Sequence, residues 1–76
     1  MEELVKTIAL SLVDNPDEVA VCTAEKDGET VVELRVAASD MGKVIGKQGR
    51  IAKAIRVVVK AAASKENRSV GVEIVQ

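Results

Sequence analysis

Residues 44–55 read VIGKQGRIAKAI, and in this stretch Gly46 and Gly49 interrupt an otherwise helical pattern. Glycine weakens a helix interior by roughly 1 kcal/mol relative to alanine. A pair of glycines spaced this closely therefore marks a gap between two helices. Before the gap, Ser39 or Asp40 can serve as N-cap for a short helix running roughly from Met41 to Ile45. After it, a longer helix is expected roughly from Arg50 to Ser64. At about 100° per residue, Ile51, Ile55, Val58 and Ala62 gather on one side of this helix. Lys53, Arg56 and Lys60 gather on nearly the opposite side, with Arg50 at its edge.

Working outward, "VAVCTAE" and "TVVELRVA" are rich in β-branched residues and flank "KDG", the signal of a hairpin. In the second of these strands Val32, Leu34 and Val36 alternate with Glu33 and Arg35, so one face is buried and the other wet. Towards the N-terminus, Leu4, Val5, Ile8, Ala9, Leu12 and Val13 share one helical face, and Asp14-Asn15-Pro16 stops that helix. Beyond the long helix, "KENRS" leads to a last alternating strand, "VGVEIV". The order is α-β-β-α-α-β. The hairpin makes the first two strands antiparallel, and the helical crossover favours parallel pairing of the second and third. An α+β fold is expected, with a three-stranded mixed sheet and helices packed on one face.

At 76 residues the chain has room for a single domain, residues 1–76. Hydrophobic residues make up 47% and aromatics none, so Val, Ile, Leu and Ala must build a thin core that association with another chain would reinforce. No apolar run is long enough to span a bilayer, and the N-terminus carries acids where a secretory signal would carry bases. The single Cys22 cannot form an intrachain disulfide, which fits a reducing cytoplasm. The net charge of −1 hides a split. Residues 1–40 hold three Lys/Arg and ten Asp/Glu, whereas residues 41–76 hold eight and two. Seven bases (Lys43, Lys47, Arg50, Lys53, Arg56, Lys60 and Lys65) stand between Met41 and Lys65 without one acid. Such an asymmetry can be a solvated helix surface or a local anion-binding face.

Catalytic chemistry is sparse. Histidine is absent, and no Cys and carboxylate cluster has metal-ligand spacing. Cys22 lies mid-strand, where a small buried apolar role is expected. No enzyme activity, cofactor, metal or small-molecule substrate is expected. The glycine step offers something else. Glycines allow positive φ and close approach of another backbone. The second helix begins at or just after Gly49, so its free N–H groups and positive dipole end face whatever lies over the loop. Lys47 projects from the loop, while Arg50 and Lys53 lie on the first turn. Together they can hold a phosphodiester backbone. The step matches neither a Walker loop nor a dinucleotide fingerprint.

The context resembles the KH domain, marked by an I-G-x-x-G loop between two helices inside a β-α-α-β core; here the mark is Ile45-Gly46-Lys47-Gln48-Gly49. With an extra helix and strand in front, the order is similar to the bacterial type II KH arrangement. Over nearly its full length the chain resembles the small bacterial single-KH proteins, the KhpA-like group, through "NPDEV", "ELRVA", "DMGKVIGKQGRIAKAIRVVVKAAA" and "VEIV". The resemblance implies a binder of single-stranded RNA, KH modules clamping four nucleotides at this loop. Gly46 and Gly49 would make the loop, Lys47 and Gln48 would face phosphates, Ile45 would help floor an apolar groove, and Arg50 and Lys53 would add attraction. The hairpin loop around Lys26-Asp27-Gly28 would edge that groove. Many KH sequences place a branched aliphatic residue three positions after the second glycine. Here that position is Ala52, preceded by Ile51. Without aromatics to stack on, sequence preference should be shallow.

The group also implies self-association, pairing with a larger KH-containing protein, and a link to RNA regulation and cell-envelope growth or division. Val57 and Val59, off the expected apolar stripe, could serve such a contact or pack in the domain itself. The competing function is an adaptor that acts mainly by homo- or heterodimerisation. A small anion- or nucleotide-binding regulatory domain is a third class.

Overall fold

The computed structural model describes residues 1–76. Helix α1 spans Glu2–Leu12, followed by strands β1 (Ala20–Lys26) and β2 (Glu29–Arg35), helices α2 (Met41–Ile45) and α3 (Arg50–Ser64), and strand β3 (Val70–Val75). The order and the bounds of α2 and α3 agree with the sequence reading. Short 3-10 turns at Pro16–Glu18, Ala38–Asp40 and Lys47–Gly49 complete the chain. The sheet order is β1-β2-β3, antiparallel then parallel, and this is the type II KH fold.

The hairpin turn has the expected chemistry. Lys26 pairs with Glu29. The two residues between them, Asp27 and Gly28, both take positive φ, at 53° and 79°. That is the backbone whose twist matches a right-handed pair of strands. Its position differs from the expectation. β3 runs parallel to β2, with Val70 level with Thr30 and Val75 level with Arg35. α3 must therefore start at the Arg35 end of the sheet and finish at the Thr30 end. The hairpin tip accordingly lies beside Arg68 and Ser69, past the end of α3. It stands at the opposite end of the sheet from the Gly46–Gly49 loop and does not edge it.

The core lies between one face of the sheet and the helices. It comprises Val5 and Ala9 of α1, Val32, Leu34 and Val36 at β2, Val44 of α2, Ile55, Val59 and Ala63 of α3, and Val70 and Val72 of β3. Leu4, Ile8, Leu12 and Val13 pack against it from the side. On α3 the buried residues are Ala52, Ile55, Val59 and Ala63, so the true core stripe is rotated from the expected one by about one residue, with only Ile55 in common. Val58 is 45% exposed, and Val59, which had been a candidate for an outside contact, is fully buried. The cause is the sheet. Small residues such as Ala52 and Ala63 let the helix approach the strands, leaving bulkier Ile51 and Val58 to flank α1.

Cys22 is exposed, contrary to the expectation of burial. Its register partner is Glu33, which in turn pairs with Glu73, so all three stand on the helix-free face. On that face the Lys26 ammonium bridges Glu33 at 3.2 Å and Glu73 at 2.8 Å, separating two carboxylates that the parallel register sets side by side. The hydrogen bond to Glu73, then that to Glu33, holds the Lys26 pKa above its ordinary value.

Candidate nucleic-acid interface

α2 ends because Gly46 leaves helical geometry, at φ 77° and ψ 174°. Its N–H still closes the last turn by donating to the Gly42 carbonyl at 2.8 Å. Three residues on, the Gly49 N–H donates to the Gly46 carbonyl at 3.2 Å, folding Lys47–Gly49 into one tight turn. Gln48 takes a left-handed conformation, with φ 57° and ψ 26°. Gly49 follows at φ 74° and serves as the N-cap of α3. Non-glycine residues in this region carry strain of order 1–3 kcal/mol and cluster at functional sites.

The two glycines serve different ends. A Cβ at Gly46 would lie 2.5 Å from Ile51 Cγ1, whereas one at Gly49 would meet nothing within 4 Å. Gly46 thus lets Ile51 fold back against the loop, and Gly49 supplies a left-handed backbone that faces open space. This accounts for the unusual pair after the second glycine. Ala52 enters the core at 4% exposure, and Ile51 is the branched residue that props the loop.

Among the residues expected at the site, Lys47, Gln48, Arg50 and Lys53 are exposed, while Ile45, Gly46 and Gly49 are half-buried beneath them. Lys47 and Lys53 form no ion pair, and the only polar side-chain contact of Arg50 is a long 3.4 Å hydrogen bond donated to Gln48 Oε1. Their charge is available to a ligand, and no acid stands among them. Lys43 is different. Its ammonium contacts Asp14 at 3.1 Å and Asp40 at 3.7 Å, and hydrogen bonding to Asp14 leads the effects that raise its pKa. One of the seven bases in the acid-free run is therefore neutralised by acids from outside the run.

α3 carries two further surfaces. Lys53, Arg56 and Lys60 are exposed along one flank, and the Arg56 Nε donates to the Val72 carbonyl at 3.3 Å, so this flank borders β3, an edge strand. The other flank forms an apolar groove with α1, lined by Ile8, Leu12, Ile51, Ala54 and Val58. The Arg56 contact links residues sixteen apart and leaves no local trace in the sequence. The groove had a signal: Ile51 and Val58 formed the expected stripe, but were assigned to the core. No helix is long and apolar enough to cross a membrane.

Comparison with known proteins identifies the family. Residues 2–74 match the family model described as KhpA/KhpB, KH domain. An RNA-binding protein KhpA of Clostridium acetobutylicum is 63% identical over 75 residues, covering 99% of this chain and 100% of the relative. The protein of the same name from Clostridium perfringens is 61% identical with the same coverage. That of Listeria monocytogenes is 47% identical over the full length of both chains. The chain belongs to the KhpA/KhpB KH-domain family.

Proposed function

We propose that this member of the KhpA/KhpB family is a non-catalytic binder of single-stranded RNA that grips the phosphate backbone at the Gly46–Gly49 loop. The observation that carries the reading is the loop itself. Lys47 and Gln48 stand exposed on a strained turn beside the unpaired Arg50 and Lys53. The open space beside Gly49 leaves the N-terminus of α3 accessible to a polyanion. Ile45 and Ile51 give the bases an apolar footing. The relatives are named RNA-binding proteins, which supports the same substrate class. As part of this reading, the protein works in the cytoplasm in post-transcriptional regulation, as an RNA chaperone tied to cell-envelope growth, shape or division.

The test is the double variant Lys47→Asp with Gln48→Asp, whose side chains project from the surface. Fluorescence anisotropy with a labelled single-stranded RNA should show loss of binding while circular dichroism stays that of wild type. Retained binding would place the site elsewhere. Wild-type affinity should also fall as salt rises, because each phosphate contact releases counterions.

A second reading rests on the apolar side of α3 next to α1, where Val57 and Val58 lie with Leu4, Ala61 and Ala62. Val57 and Val58 are 59% and 45% exposed, a large apolar surface for so small a domain. That surface suits a homodimer, or a heterodimer with a larger KH-containing protein. Light scattering of Val58→Asp, expected to be monomeric, alongside its RNA affinity separates the two activities.

A further inference from the structure

Asp40 is the only buried polar or charged residue of the chain, and it is fully enclosed. It occupies the N-cap position of α2, yet its side chain makes no capping bond there. Instead its carboxylate accepts hydrogen bonds from the turn that ends α1. The Asp14 N–H donates to Oδ1 at 3.1 Å, and the Asn15 N–H and Nδ2 donate to Oδ2 at 3.0 and 3.1 Å. Lys43, one turn into α2, spans the same pair of segments by reaching both Asp14 and Asp40. A buried carboxylate is costly unless fully hydrogen-bonded, and here all its partners come from one remote turn or from α2 itself.

What this turn holds is a helix of five residues. A single turn and a half cannot sustain itself in water, since short helices draw their stability from tertiary contacts. Inside the domain α2 is anchored by Val44 in the core, by Met41 packed against that core, and by Asp40 at its start. Gly46 follows directly at the other end, about 9 Å from Asp40 at the helical rise. We infer that Asp40 is a positioning residue for RNA binding: by clamping the first turn of α2 to the Asp14–Asn15 turn, it sets where the Gly46–Gly49 loop stands relative to α3. The inference rests on the RNA-binding reading above. It extends the functional site to residues that touch no RNA, and it assigns Asn15 and Asp14 to the same device. Releasing the clamp lets α2 shift about Val44, so Lys47 and Gln48 no longer meet the phosphate that the N-terminus of α3 holds.

The test is Asp40→Asn, of nearly equal size, compared with Val70→Ala, a core truncation at the opposite end of the sheet. Both variants should melt at lower temperature. In the 15N–1H spectrum of folded, RNA-free protein, the Gly46 and Gly49 amides should move in Asp40→Asn and stay in place in Val70→Ala. With affinity corrected for the folded fraction, Val70→Ala should keep the wild-type salt dependence. Asp40→Asn should show a slope shallower by about 0.7 for one lost phosphate contact, which amounts to about fivefold weaker binding at 0.1 M salt. Should Asp40→Asn fail to fold, Asn15→Ala removes one of the three donors and should move the same two amides, and the slope, by less. Unmoved glycine amides, or a wild-type slope in the folded variant, overturns the inference. Wild-type protein that binds no RNA overturns the proposed function instead, and leaves the amide shifts as the measure of the clamp.

Discussion

Two turns at opposite ends of the sheet use the same backbone device and depend on very different surroundings. At the hairpin, Asp27 and Gly28 adopt positive φ, and a Cβ at Gly28 would meet nothing within 4 Å. At the loop, Gly46, Gln48 and Gly49 do the same, but Ile51 is packed into the space that a Gly46 Cβ would need. The hairpin is closed by the ladder on either side of it, from Lys26↔Glu29 to Ala20↔Arg35. The loop has no ladder and is held by Ile51 from α3 and, through α2, by Asp40. A turn closed by its own strands tolerates change, whereas one held by remote contacts does not.

Alanine at the glycines tests this contrast most severely. Gly46→Ala combines a backbone region open almost only to glycine with a steric collision, and should destabilise by about 4 kcal/mol, close to unfolding so small a domain. Gly28→Ala bears only the conformational cost and should lose about 1 kcal/mol. Gly49→Ala should resemble Gly28→Ala. Urea denaturation of the three variants ranks them, and equal losses at Gly46 and Gly28 would erase the distinction.

Charge reversal at the two ends should separate them next by RNA affinity. Gln48→Asp should weaken binding about tenfold through a lost phosphate contact and added repulsion. Asp27→Lys, a larger change in charge, should alter it less than about twofold at physiological salt. The length of α3, about 22 Å, separates the hairpin end from the loop by more than two Debye lengths. A large gain from Asp27→Lys would mean that RNA reaches the hairpin.

The ends should also fail on opposite sides of neutrality. Burial alone would push the Asp40 carboxyl up, but the donors of Asp14 and Asn15 and the charge of Lys43 outweigh it, so its pKa lies below the ordinary 3.8. Its stabilisation is complete above 3.8 and is lost as pH falls through the depressed value. Lys26 lies above its ordinary 10.5, so its contribution is complete below 10.5 and is lost as pH rises through the elevated value. Melting temperatures of Asp40→Asn should therefore converge on wild type in acid, and those of Lys26→Met in alkali. The smallest effect belongs to Asp27→Asn. Asparagine suits this left-handed turn position, so a gain of a few tenths of a kcal/mol is expected in the same melts.

Much of the architecture could be read directly. Proline after Asn15, the KDG turn and the paired glycines punctuate the chain, and the alternation of Val32, Leu34 and Val36 picks out a half-buried strand. The gap in the helices and the exposed Lys47, Gln48, Arg50 and Lys53 were equally visible, since charge and glycine spacing are local properties. Asp40 was read only as a helix cap, because capping residues and remote clamps look alike in one dimension. Lys43 stands in sequence with the bases of an acid-free run, and its acids lie outside that run, Asp14 most distantly.

By itself, then, the sequence determined which segments are helices or strands, where they turn, and which half of the molecule is basic. These follow from periodicity and turn chemistry acting over a few residues. Only the tertiary structure decided which stripe of α3 is core. Adjacent apolar stripes centred on Val58 and Val59 are equally helical, and the choice between them depends on how closely the sheet lets the helix approach. The same holds for Cys22, whose exposure follows from register, and for the hairpin, sent away from the loop by the parallel crossover. It holds above all for the loop. Its glycines are written in the chain, but its place is set by Ile51 and Asp40, whose contacts exist only once the segments have met.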